Sequence, residues 1–393
     1  MKCTLIGMGC GARQLTAEAS EAIHTAQLLI GAKRLLELLP DIGAQKIPEY
    51  RPQKIVSLLH AHPAEKCCVL YSGDSGFYSG AAGLFPLLEG MEVRVLPGIS
   101  SLQAFAAQLG EPWQEWNLCS AHGAACDPAQ AVMQGKKAFF LTSGAESPGE
   151  LCAELTAAGL GTLQISVGEN LGGDRMQIWH GTAAECTQRT FAPLNVMLAD
   201  AAPRYRRRVA GIPDEEFLRE KVPMTKQEIR AAVLAKLAPT PEEVCWDIGA
   251  GTGSVSVELS YAAKNVWAVE QKPEAVKLIR RNREKFCAWN LHVIEGTAPE
   301  ALEKLPMPDA VFVGGSCGQL WEILNAAVQA NPQVRICVSA IALETLQGAV
   351  SALEQLGYAP EVTQISVSRT RAAGSLHLLM AQNPVFLIPG ERT

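Results

Sequence analysis

The sequence predicts an α/β protein of two domains, and three observations carry that expectation. Apolar strand-like runs alternate with helical patterns in both halves of the chain. Its 393 residues exceed one typical core, for which about 100–200 residues suffice. Between Ala201 and Asp214, Pro, Gly and charged residues replace the apolar periodicity. The expected domains are therefore 1–202 and 203–393. A further split near Glu111 and Pro112 divides the first into lobes 1–111 and 112–202. No internal repeat relates the two halves.

In the first half, K-C-T-L-I-G-M-G-C-G is a strand entering a glycine turn at Gly7, Gly9 and Gly11. A second strand, C-C-V-L-Y, runs into the turn Gly73 to Gly80, and a third, V-R-V-L, ends in P-G-I-S-S at Ser101. Three strands that each end in glycine or small hydroxyl residues place donor-rich loops at one sheet edge, where open α/β folds bind ligands.

In the second half, strands are expected at Val244 to Ile248, Val266 to Glu270, His292 to Glu295, Ala310 to Val313 and Arg335 to Ala340. Helical patterns such as Pro273 to Phe286 and Gln319 to Ala330 separate them, which describes a parallel doubly wound sheet. Two closing strands, Glu361 to Ser368 and Ser375 to Gln382, have no helix between them, so one antiparallel strand is expected at the sheet edge. A seven-stranded methyltransferase sheet ends in this way, and the usual dinucleotide fold does not.

The turn from Asp247 to Gly253, D-I-G-A-G-T-G, narrows the ligand. A dinucleotide fingerprint needs G-x-G-x-x-G to seat a pyrophosphate on a helix N-terminus, and here the third glycine comes one position early. Asp247 would repel a pyrophosphate but suits a ligand carrying an ammonium group and a sulfonium. Glu270 stands about 20 residues on, where a carboxylate can hold a ribose diol. S-adenosylmethionine fits these features, with NAD as the alternative.

Composition limits the other choices. Hydrophobic residues make up 48% and charged residues 19%, which suits a packed core. No apolar run approaches the roughly 20 residues of a membrane span, and the start lacks a signal peptide's apolar region, so a cytoplasmic protein is expected. Twelve scattered cysteines without a C-x-x-C pair, among them Cys3, Cys68, Cys245 and Cys337 in apolar runs, point to buried thiols. His60, His62, Cys67 and Cys68 read as a helix end followed by a strand, and no metal site is expected. A net charge of −6 argues against a nucleic-acid partner, so an anionic substrate must be met locally, by Arg204 to Arg208 or by Arg369 and Arg371.

These residues also carry a family resemblance that covers nearly the whole chain. G-M-G-C-G, G-D-S-G-F-Y-S-G, P-G-I-S-S, S-A-H-G and L-T-S-G-A-E-S-P resemble the tetrapyrrole methylase family in its precorrin C-5 methyltransferase branch. G-I-P-D-E-E-F, V-P-M-T-K-Q-E-I-R, D-I-G-A-G-T-G-S-V-S-V-E, E-G-T-A-P-E-A-L and V-G-G-S resemble the decarboxylating precorrin C-15 methyltransferases. The resemblance implies a two-lobed class III tetrapyrrole-methylase fold followed by a class I, Rossmann-like sheet. It also implies one S-adenosylmethionine site per domain, a precorrin or cobalt-precorrin substrate and a homo-oligomer.

By the same resemblance, Thr225, Gly249, Ala250, Gly251, Thr252, Gly253, Glu270 and Ala298 hold the donor in the second domain. Gly9, Gly73, Asp74, Ser100 and Ser101 hold it in the first. Substrate contacts fall to Asp214, Gly314, Gly315 and Ser316, with Arg369 and Arg371 as carboxylate clamps. His122 is a candidate proton acceptor, although a histidine beside a glycine also serves as an ordinary turn residue. Two other functions share the general signature, an RNA methyltransferase, which needs a basic surface, and an NAD-dependent oxidoreductase.

Overall fold

Strand period two governs the opening element, β1 (Lys2–Gly7), which sends Cys3 and Leu5 into one core and Ile6 into the opposite one. The computed structural model describes all residues except 1, 12–13, 63–65, 122–125, 143–145, 206–209 and 393. They form two compact units, Met1–Ala202 and Pro203–Thr393.

In the first unit, β1 joins β2 (Leu28–Gly31), β3 (Gln45–Pro48), β4 (Cys67–Tyr71) and β5 (Glu92–Leu96) in a parallel sheet of order β3-β2-β4-β1-β5. Helices Ala17–His24 and Lys33–Glu37 cover one face, and Pro52–Ala61 and Ala81–Leu84 the other. Because β4, β1 and β5 are neighbours, the three glycine turns that follow them meet at one edge.

A second, mixed sheet contains β6 (Asn117–Ser120), β7 (Ala138–Leu141), β8 (Gln164–Glu169), β9 (Gln177–Thr182) and β10 (Asn195–Ala199), in the order β6-β7-β10-β8-β9. Only β6 and β7 pair in parallel. The helix Ser101–Leu109, which the sequence assigns to the first lobe, packs on this second sheet. Leu102, Phe105 and Ala106 meet Phe139, Leu171, Val196 and Leu198. Residue 168 of β8 is a glycine because a Cβ there would lie 2.7 Å from the Phe105 ring. The chain thus changes lobes at residues 97–100, before the helix rather than after it.

The second unit holds β11 (Val244–Ile248), β12 (Asn265–Glu270), β13 (Leu291–Glu295), β14 (Ala310–Val313) and β15 (Arg335–Ala340), all parallel. Helix Pro273–Lys285 shows why these segments fold as the sequence suggests. It has Pro at its first turn, basic residues in its last, and buries Ala275, Val276, Leu278, Ile279 and Asn282 at helical spacing. One face of the sheet is covered by helices Gln227–Leu237, Ser254–Ser260 and Pro273–Lys285, the other by Leu320–Ala330 and Leu343–Gln355.

The closing segment differs from expectation. After β16 (Tyr358–Pro360) and β17 (Thr363–Ile365), the strands β18 (Ser368–Ala373) and β19 (Leu376–Ala381) pair only with each other, as a hairpin outside the main sheet. The antiparallel strand is instead β20 (Val385–Arg392), inserted beside β15, with β16 and β17 both paired to its far side. The sheet therefore has eight strands, in the order β13-β12-β11-β14-β15-β20-β16 with β17 also on β20. Alternation along Glu361 to Gln382 signals strand but cannot say which partner each strand takes.

Candidate active sites

Strand order in the second unit reverses between β11 and β14, and at such a switch point the loops beyond the carboxyl ends of the strands diverge to leave a crevice. A cleft of about 730 Å³ opens there. Gly249 follows β11 at φ +71°, and a Cβ on it would lie 2.4 Å from the Gly315 carbonyl oxygen beyond β14, so only glycine allows the two loops to meet. Gly251, at φ +57°, faces the Pro223 carbonyl, with its Cβ position 3.1 Å away. Glu270, at the end of β12, closes the floor. Its Oε2 accepts the Gly251 N–H at 2.9 Å and its Oε1 the Lys272 N–H at 3.0 Å.

Of the residues expected to hold a donor here, Thr225, Gly249, Ala250, Gly251, Glu270 and Ala298 line the cleft, as do Gly314, Gly315 and Ser316. Thr252 and Gly253 are absent from its lining. Thr252 is fully buried, and its carbonyl accepts the Asn282 side-chain amide at 2.9 Å. Gly253 is packed against Ile279. These two shape the turn from behind.

Asp247 does not face the cleft either. Alternation along β11 places it on the same side as Cys245, under helix Ser254–Ser260, where Ser256 donates a hydrogen bond to its Oδ2. Its Oδ1 is buried with no hydrogen-bond partner among the described residues. Burial pushes this carboxyl up to about 7 against the lowering effect of the Ser256 hydroxyl. An acid so placed cannot greet an ammonium group in the cleft.

Asp214 and Arg369 also have partners of their own. Arg230 is fully buried; it donates to Glu258 at 2.7 Å, to Asp214 at 2.8 Å, and to the Thr225 and Ile212 carbonyls. Arg369 lies 3.1 Å from Asp214 Oδ2 and grips both oxygens of Glu228, which holds that carboxyl below its usual range. Neither Arg369 nor the exposed Arg371 lines the cleft; Lys221, Lys226 and Lys272 do.

Sequence reasoning also missed Asn282, whose amide holds both Leu218 and Thr252. A polar residue on the apolar stripe of helix Pro273–Lys285 was the available signal.

In the first unit, the turns after β1, β4 and β5 pack backbone to backbone. A Cβ on Gly98 would stand 2.4 Å from the Gly73 oxygen and 2.5 Å from that of Gly7. Gly9 and Gly73 exchange hydrogen bonds of 3.1 and 2.9 Å. Asp74 joins two of the turns, accepting from Gly76 N–H at 2.8 Å and from Gly98 N–H at 3.2 Å.

Beside them lies a cleft of about 790 Å³, lined by Gly73, Asp74, Ser100 and Ser101 but not by Gly9. Ser100 is buried, and its hydroxyl is engaged in capping helix Ser101–Leu109 through Gln103. His122 lies outside the described residues. Phe77 and Tyr78 of the G-D-S-G-F-Y-S-G turn, together with Tyr71, Asn170 and Leu171, which no glycine motif announces, complete much of the wall.

Two family models match the chain. A family model described as tetrapyrrole (corrin/porphyrin) methylases matches residues 2–187, and one described as a precorrin methyltransferase domain matches residues 216–389. A precorrin-6Y C(5,15)-methyltransferase (decarboxylating) from Sinorhizobium is 34% identical over 337 residues, 83% of this chain and 81% of its own. A probable cobalt-precorrin-6B C(15)-methyltransferase (decarboxylating) from Sulfurisphaera tokodaii is 41% identical over 191 residues, 47% of this chain and 99% of its own. Among solved structures, a precorrin-6Y C5,15-methyltransferase from Geobacter metallireducens aligns with a TM-score of 0.46 at 39% identity, covering 48% of this chain and 100% of that one.

Proposed function

The chain belongs to the decarboxylating precorrin-6Y C5,15-methyltransferase family, and from that membership we propose a division of labour between its two units. The protein is an S-adenosylmethionine-dependent C-methyltransferase of cobalamin biosynthesis. The unit 203–393 methylates C-15 of precorrin-6B, or its cobalt form, and releases CO2 from the ring C acetate; the unit 1–202 methylates C-5. The observation that carries this reading is the pair of separate glycine-walled clefts, of about 730 and 790 Å³, one in each unit. Family membership displaces the RNA and dinucleotide readings.

Both clefts fit a nucleoside-bearing sulfonium. When bound, S-adenosylmethionine supplies an electrophilic methyl group, and the electron pair of the broken C–S bond stays on sulfur. In the second unit, Glu270 keeps lone pairs for ribose hydroxyls while its position is set by two backbone N–H groups. Gly249 and Gly251 let the backbone approach the nucleoside, and Thr225 and Ala298 stand on the facing walls. Gly314 to Ser316 line the acceptor's side, and Lys221, Lys226 and Lys272 are the cations within reach of its carboxylates. An electron-rich bridging carbon of the macrocycle is itself the nucleophile, so alignment is the main task of these residues. Loss of CO2 leaves its electron pair in the conjugated macrocycle, helped by a less solvated seat for the acetate.

In the first unit, Gly73, Asp74 and Ser101 are the donor contacts, with Gly9 and Ser100 fixing the turns behind them. The proton left on the methylated carbon goes to solvent or to a side chain, for which His122 is the candidate.

A homo-oligomer is supported by the β18–β19 hairpin, which exposes Leu376, Leu378, Leu379 and Met380. A two-stranded hairpin is marginally stable by itself, and a second copy is the natural cover for those leucines. No described helix is long and apolar enough to cross a membrane.

Mass spectrometry of precorrin-6B incubated with enzyme and donor tests the function. Gain of two methyl groups with loss of one CO2 is the expected product, and a product with one methyl and no loss would refute the division.

A further inference from the structure

The cleft of the first unit carries two cations that have no partner among the described residues. Arg34 stands on the short helix Lys33–Glu37 of the first sheet, and Arg175 in the segment between β8 and β9 of the second; both are exposed and both line the cleft. Among the described residues, the side chain of neither forms an ion pair or a hydrogen bond; Arg175 takes part only through its backbone carbonyl, which accepts from the Asn170 side-chain amide. The acids beside them are engaged. Asp74 spends both oxygens on backbone N–H groups, and Asp174 has a partner.

The same cleft also carries exposed apolar side chains. Leu38, Tyr78 and Leu194 are 49%, 52% and 55% exposed, and all three line the cleft. Phe77 and Leu171 lie deeper in the same wall. Exposed apolar side chains gathered at a cleft mark a surface that a ligand covers. A protein of net charge −6 repels a polyanion at long range, so cations at the contact itself must hold it. An apolar seat with guanidinium groups at its edge matches a flat ring system carrying ionised carboxylates on its periphery, and guanidinium takes a carboxylate in bidentate fashion.

We propose that Arg34 and Arg175 read the peripheral carboxylates of the methyl acceptor from the two lobes, over the apolar rim of Leu38, Tyr78 and Leu194, and set the acceptor specificity of the first unit. This rests on the reading that the first unit transfers a methyl group to the macrocycle. The donor is held by the glycine turns, so the arginines act on acceptor binding and not on donor binding.

The test uses the full chain and the variants Arg34→Gln, Arg175→Gln and their combination. C-5 methylation is followed against acceptor concentration, donor affinity by titration with S-adenosylhomocysteine, and C-15 methylation with decarboxylation as a control for intact protein. Each single variant should raise the acceptor KM for C-5 methylation about fivefold and the pair about 25-fold, with kcat less affected. Donor affinity and the C-15 reaction should stay at wild-type values, and Arg→Lys should restore part of the loss. The wild type should discriminate against an acceptor whose carboxylates are methyl esters, and the double variant should not.

An unchanged KM in the double variant, or continued discrimination against the ester, overturns the proposal. A wild-type chain that makes no C-5 product while the double variant still loses acceptor affinity would instead overturn the methyl-transfer reading and leave the carboxylate seat standing.

Discussion

Glu270 Oε2 accepts the N–H of Gly251 at 2.9 Å, binding the acid that ends one strand to the glycine turn that follows its neighbour. The other oxygen accepts the Lys272 N–H at 3.0 Å, so both ends of this carboxylate meet donors. A glutamine can satisfy only one of them and must turn its NH2 toward the other. Glu270→Gln should therefore weaken donor binding in the second unit by about 10- to 100-fold, from a lost ribose contact and a displaced turn. Calorimetric titration with S-adenosylhomocysteine should show one of two sites weakened; two unaltered sites would remove Glu270 from the donor site.

Gly251 has a positive φ and lines the cleft, where a Cβ on it would press within 3.1 Å of the Pro223 carbonyl oxygen. A side chain at 251 enters the space assigned to the donor, so Gly251→Arg should abolish C-15 methylation and decarboxylation together. C-5 methylation should persist. If the variant still releases CO2 at the wild-type rate, the assignment of the second unit is wrong.

Burial raises the carboxyl of Asp247 to about 7 from an ordinary value near 4. The folded state therefore binds this proton more tightly than the unfolded state does. The stability this contributes is present below about pH 4 and is lost as pH rises through about 7. Asp247→Asn cannot ionise, so its stability relative to wild type should rise across that interval. Urea unfolding at a series of pH values checks the slope, and parallel curves for the two proteins would contradict it.

Arg230 and Arg369 both contact Asp214, but only Arg230 is fully buried. Arg230→Met leaves Glu258 a buried acid without its cation and Asp214 with Arg369 alone, and should cost about 3–5 kcal/mol. Arg369→Ala removes two pairs, with Glu228 and Asp214, but the arginine is a third exposed and Asp214 keeps Arg230, so the change should cost less than about 1 kcal/mol. Because Arg369 is tied to Glu228 and stands off the cleft, its loss should leave the acceptor KM of the C-15 reaction within about twofold. Denaturation followed by tryptophan fluorescence and steady-state kinetics measure these effects, and a large rise in KM would return Arg369 to the role of carboxylate clamp.

The parts of the fold legible in sequence were those written in local periodicity and turn chemistry. Val244–Ile248 and Ala310–Val313 occupy the expected bounds, and the glycine turns after β1, β4, β5 and β11 gather where expected. What escaped depends on partners far along the chain. Nothing local says that β18 and β19 leave the sheet or that β20 takes the place beside β15. Asp247 looks like a ligand contact beside a glycine, but strand alternation turns it toward Ser256. Ser100 sits in a ligand-like motif and also caps a helix, two roles that favour the same small hydroxyl. Arg34 and Arg175 are unremarkable surface cations in sequence, and only the pairing of two lobes brings them to one cleft.

The placement of β10 and β20 bears on how the protein is made. Each is the last strand of its unit, and each is sandwiched between strands synthesised before it. A nascent chain therefore carries a gap in the sheet, with two unsatisfied strand edges, until residues 195–199 or 385–392 emerge. The first unit can seal its gap while the second is still being translated, so the two fold in succession. Each unit is most exposed to aggregation and to chaperone capture just before its own closing strand arrives.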